Sequence, residues 1–152
     1  MTMKKREKEI LEKVSFEARY VALYRENKGK EPKKEIGLEI QKEIIEKLER
    51  KVRYNKSERF FKYSEKESGT RFQLNLAIRN SFIEPILDIN NDDKNFSLGG
   101  PFGGLAKDLN PKLEAYFKIS YADEKDLEKN IGAIFDLYDD IKLEVQKHLE
   151  NE

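Results

Sequence analysis

The chain has 152 residues, 38% hydrophobic and 39% charged, with 30 basic groups against 30 acidic ones and a formal net charge of zero. Such a length fits one domain, residues 1–152, that buries roughly two thirds of its surface, and its nine Phe and seven Tyr residues supply apolar bulk for a core. With no cysteine, a disulfide framework, a thiolate nucleophile and a Cys-type zinc site are excluded.

No apolar run approaches the roughly twenty residues that span a bilayer. The opening MTMKKREKEI is not followed by an apolar stretch of signal-peptide length. The expectation is a cytoplasmic protein without a membrane partner. Charge is unevenly placed: residues 1–70 carry 20 Lys and Arg against 14 Asp and Glu, and residues 71–152 carry 10 against 16, balances of +6 and −6. Such asymmetry points either to an interaction surface or to halves that neutralise each other on folding.

Residues 3–26 read as a helix, with Ile10, Leu11, Val14, Ala18, Val21 and Ala22 at spacings of three and four. Phe16 to Tyr24 also alternates as a strand would, and the helical reading is preferred. Gly29 suits a helix stop, and Pro32 suits the first turn of a second helix. In that helix Ile36, Ile40, Ile44, Leu48 and Val52 recur every fourth residue, and it ends by Tyr54. The pair is not a DNA-reading helix-turn-helix, because its connection is too long and its second helix too rich in glutamate. Between Lys47 and Lys66, basic residues including Arg50, Lys51, Arg53, Lys56 and Arg59 interleave with Tyr54, Phe60, Phe61 and Tyr63. That mixture offers a nucleic-acid alternative, RNA or single-stranded DNA held by charge and stacking. The competing reading places the aromatics in a core.

Thr70–Asn90 is the clearest signal. Phe72, Leu74, Leu76 and Ile78 alternate with polar residues, and Ile83, Leu87 and Ile89 do the same in the next run. A two-residue turn at Asn80-Ser81 sets Ile78 opposite Ile83, Leu76 opposite Pro85, Leu74 opposite Leu87 and Phe72 opposite Ile89. A slip by one residue would break all four apolar pairs. Pro85 cannot donate to a ladder, which predicts an edge or a bulge at that point. With a preceding strand at 59–65, the product is a three-strand meander. Its opposite face carries Gln73, Asn75, Arg79, Phe82 and Glu84, candidates for contact with a partner.

Asp88 to Asp93 resembles the start of a calcium loop, but position six is Asp93 and position twelve is Gly99, so a polar connection explains it better. Four of the chain's eight glycines fall between Gly99 and Gly104. No Lys-Ser/Thr follows and no G-x-G is present. This loop, 99–105, either holds a small ligand, presents Phe102 to a partner or makes a tight crossing under the core. Tyr116–Tyr121 reads as a further strand. Asp123 caps a final helix whose stripe, Leu127, Ile131, Ile134, Tyr138, Ile141, Val145 and Leu149, is set to cover the meander; Gly132 within it suggests close packing. Asp136, Asp139 and Asp140 form an acidic cluster that offers carboxylates to a basic partner or a magnesium ion, with an ordinary solvated helix face the favoured reading.

The single histidine, His148, excludes a zinc site of several histidines and speaks against a Ser-His-Asp triad. No catalytic residue, metal site or cofactor is nominated, and enzyme activity stays an open, less favoured alternative. The fold expected is α+β: a helical pair over 1–55, an antiparallel meander of three to four strands with the glycine loop over 56–121, and a long helix over 122–152 packed on one sheet face. The function expected is stoichiometric association with another protein, in the manner of a bacterial toxin-immunity protein or a dedicated chaperone, with a homodimer possible.

Overall fold

The computed structural model describes residues 3–151. In chain order the elements are α1 (Lys5–Lys13), α2 (Phe16–Asn27), α3 (Leu38–Glu46), β1 (Arg53–Asn55), β2 (Phe60–Glu67), β3 (Thr70–Arg79), β4 (Phe82–Asn91), β5 (Phe96–Pro101), α4 (Phe102–Leu109), β6 (Ile119–Ser120) and α5 (Glu124–Glu150). The architecture is α+β, with an antiparallel sheet of order β1-β2-β3-β4-β5 and β6 added beside β4. Buried apolar side chains form one cluster from sheet and helices.

The hairpin has the register that its side-chain pattern requires, with Phe72 opposite Ile89, Leu74 opposite Leu87, Leu76 opposite Pro85 and Ile78 opposite Ile83. Asn80 and Ser81 both take positive φ, 49° and 72°, which matches the twist of the strands they join. Phe72, Leu74, Ile83 and Ile89 are fully buried, worth about 1.5–3 kcal/mol each. β4 is an interior strand, yet among the described residues no strand pairs with the outer side of Pro85. β6 pairs with Phe82 and Ile83, β5 begins pairing at Ile86, and the proline falls in the gap between them.

Three expectations are corrected. The helix over 3–26 is two helices, because Ser15 adopts a left-handed φ of 55° and breaks the ladder. Arg19 donates to the exposed carbonyl of Val14 at 3.1 Å. The rotation turns Phe16, Tyr20 and Val21 inward and leaves Ala18 and Ala22 exposed. The second helix starts after Pro32 and stops at Glu46; Glu49 takes a φ of 56°, and Arg53–Asn55 is drawn out to pair with Phe60–Lys62. Gly99–Pro101 lies in a strand, and Phe102 opens a helix, so the glycine stretch is not a loop. The sheet thereby gains β1 and β5, while only Ile119 and Ser120 of the expected Tyr116–Tyr121 strand pair with a neighbour.

α5 covers the apolar sheet face. Tyr63 of β2 meets Phe135 and Tyr138 edge to face, at 5.5 and 5.9 Å, and the Lys142 ammonium lies 5.5 Å over the Phe72 ring. Asp123 caps the helix by accepting from the Asp126 amide at 2.8 Å. Asn130, fully buried, donates to Asn27 and to the Ser120 carbonyl, and so ties α5 to α2 and β6.

Candidate partner-binding site at the edge of β5

β5 is the last strand on its side of the sheet. Its apolar residues Phe96 and Leu98 turn into the core, and Ser97 and Gly99 turn outward. Gly100 takes a φ of +138°, a conformation that side chains resist, and the chain then bends into α4. Phe102 is fully buried, 5.2 Å from Phe16 and 5.6 Å from Tyr20, edge to face with both. No partner reaches it there, which corrects its place among the contact candidates. A Cβ on Gly103 would stand 2.6 Å from the Phe117 carbonyl oxygen and 2.7 Å from its nitrogen, so α4 and the segment before β6 cross backbone to backbone. Tyr20 donates to that same carbonyl at 2.8 Å, and burial raises its phenol far above the ordinary value. The glycines therefore make a tight crossing, and they also shape what lies beside it.

The two-residue turn at Asn80-Ser81 makes Arg79 and Phe82 a hydrogen-bonded pair, and the bonding sense alternates along the strands from there. On β4, Ile83, Leu87, Ile89 and Asn91 consequently bond toward the β5 side. Ile83 meets Ile119 of β6, and the partners of Leu87, Ile89 and Asn91 are Gly100, Leu98 and Phe96. The N–H and C=O groups of Ser97 and Gly99 are left pointing outward, and among the described residues no strand takes them.

A cleft of about 660 Å³ runs along this edge and onto the open sheet face beside Gly99. Its walls include Ile86, Leu98 and Leu105 as apolar surface and Glu7, Asp88 and Asp108 as acids, with Lys4 the one base among the described residues. α1 is held at this end of the sheet by Arg6, which donates to the carbonyls of Lys94 and Asn95 and stacks 5.1 Å over Phe96. That anchoring brings Glu7 into the cleft wall. Glu7 is 3% exposed, and among the described residues its Oε2 has no hydrogen-bond partner.

The remaining sequence candidates divide. Gln73 is buried and accepts from Ser64 and Arg71 while donating to Asn75; Arg71 also pairs with Asp88 at 2.9 Å. This polar ladder covers the centre of the open face, and Asn75 reaches the cleft. Arg79 is exposed, as is Phe82 at 42%, and together with Glu84 they border a smaller hollow near Lys118. Burial and the Glu84 carboxylate push the Tyr116 phenol up to about 12. The acidic cluster is mostly spent inside the molecule: Asp139 takes Arg50 and Asp140 takes Arg19 at 2.8 Å, while Asp136 stays exposed. Arg50 is thereby withdrawn from the nucleic-acid candidates, stacked 4.5 Å over Phe135; Lys51, Arg53, Lys56 and Arg59 remain exposed. Among the described residues, no helix is long and apolar enough to cross a membrane.

Glu7, Ser97 and Asp108 were not singled out by the sequence, and Asp88 was read there as the start of a polar connection. The glycine run, Asn75 and the Asp88 stretch were the local signals for this place. Comparison with family models, curated proteins and solved structures finds no match.

Proposed function

We propose that this protein is a binding module that associates stoichiometrically with another protein, taking an extended segment of that partner along the edge of β5. The carrying observation is the cleft, which places the outward backbone groups of Ser97 and Gly99 beside apolar and acidic side chains. Strand addition draws affinity from main-chain hydrogen bonds and specificity from pockets for alternate side chains, and both are present at this edge. Gly99, lacking a side chain, leaves the approach open. The edge is short, six residues ended by Pro101, which limits self-association. The nucleic-acid alternative is supported less, since Arg50 is committed to Asp139.

The test is capture from the protein's own cells, after nuclease treatment, with wild type, Ser97→Ala and Ser97→Pro as baits. Proline deletes one outward N–H and leaves the β4 ladder intact, as edge positions allow. One stoichiometric protein should be held by wild type and Ser97→Ala and lost by Ser97→Pro. Amide exchange on the wild-type complex serves as a second readout, with slowed exchange expected at Ser97 and Gly99. Equal retention by Ser97→Pro with unprotected amides, or recovery that disappears with nuclease, overturns the proposal.

A further inference from the structure

Glu7 occupies the first turn of α1, where glutamates ordinarily bend back to the helix's own unpaired amides. Here the residue is almost wholly buried, and among the described residues its Oε2 is left without a hydrogen-bond partner. A buried acceptor in that condition is costly, more so when it belongs to a carboxylate. Such a group in a native fold calls for an explanation. The cleft supplies one: Glu7 stands in its wall with Asp88 and Asp108 against Lys4, the single base there among the described residues, and Asp88 is already matched by Arg71. Leu98 and Leu105 provide apolar surface alongside. An aliphatic chain ending in a cation meets both demands, since its methylenes cover the apolar wall and its head reaches the carboxylate.

We infer that Glu7 forms a subsite for one basic side chain, lysine or arginine, of the extended segment that pairs with β5. The inference rests on the strand-addition reading and specifies its partner: a segment with a basic residue whose side chain turns toward α1. In an added strand, alternate side chains leave on opposite faces. One set runs toward the polar ladder of Gln73 and Asn75, and the other turns to the side of the edge that α1 and α4 flank. The subsite selects the second set.

The probe is a blocked tripeptide, acetyl-Val-Lys-Val-N-methylamide, set against the same peptide with norleucine for lysine, which keeps the chain length and removes the charge. Titration is followed on the amide resonances of Ser97, Gly99 and Gly100. A charge-assisted bond in a largely desolvated place predicts a preference for the lysine peptide of about tenfold or more. In Glu7→Gln the two peptides should bind within about twofold of each other, because the amide no longer attracts the cation. Glu7→Gln should also melt no lower than wild type, as it relieves an unpartnered buried carboxylate. A role for Glu7 in holding α1 in place would instead lower the melting temperature.

Equal binding of both peptides to wild type, or an undiminished preference in Glu7→Gln, overturns the cation subsite and leaves strand addition standing. No shift at Ser97 and Gly99 with either peptide at millimolar concentration overturns both. Shifts confined to residues away from the cleft do the same.

Discussion

A methyl group is the smallest probe of local packing, and alanine at two of this chain's glycines should move stability in opposite directions. Around Gly132 nothing lies within 4 Å of where a Cβ would stand. Gly132→Ala should therefore recover the helix-propensity difference, about 1 kcal/mol of added stability in a urea titration. At Gly103 the same methyl would press on Phe117 backbone atoms less than 3 Å away, and Gly103→Ala should cost about 1–3 kcal/mol. The sequence suggests close packing at Gly132, which was the wrong glycine, because a helical glycine says nothing of its neighbours. Glu7 shows the limit at this scale. It is one of 30 acidic groups in a strongly charged helix, and only the tertiary placement of α1 over β5 distinguishes it.

At the level of elements, the pairing of β2 with α5 gives a titratable joint. Glu65 accepts from Tyr138 at 2.9 Å and from Lys142 at 3.0 Å. Burial alone would raise its carboxyl, but these bonds and the Lys142 charge outweigh burial and hold it below its ordinary value of 4.5. A depressed folded value means a contribution that is full above the unfolded value and lost as pH falls through the folded one. Wild type should thus lose part of its stability below about pH 4.5, and Glu65→Gln should flatten that segment of the curve, read by denaturant midpoints taken across the acid range. Legibility of the elements followed the same division between local and distant causes. The β3–β4 hairpin was readable because period-two alternation and turn chemistry act within twenty residues. The break at Ser15 was not, since serine does not announce a positive φ. Neither was the end of α3, where the every-fourth apolar stripe runs on while pairing with β2 pulls the chain away.

Across the whole molecule, the opposed charges of the two halves are in part used internally. Arg19, Lys30, Lys47 and Arg50 from the basic half pair with Asp140, Asp126, Glu128 and Asp139 of α5. Partly exposed pairs of this sort are worth about 0.2–1 kcal/mol apiece. Raising NaCl from low salt to about 1 M, where the Debye length is about 3 Å, should therefore lower stability by about 1–2 kcal/mol in total. An unchanged urea midpoint would show these contacts to be energetically idle. The β5 cleft belongs to this scale too, because its walls come from residues 3–7, 75, 86–88, 97–100 and 105–108. No window of sequence contains them together. The placement of α5 has one more consequence, for the way the chain is made. Its 27 residues leave the ribosome after every strand of the sheet. At about 5–20 residues per second that takes seconds, whereas a hairpin forms in about 1–10 μs. During translation the nascent sheet therefore waits, about a hundred thousand times longer than its hairpin needs to form, with Phe72, Leu74 and Leu76 still bare of the helix that will cover them.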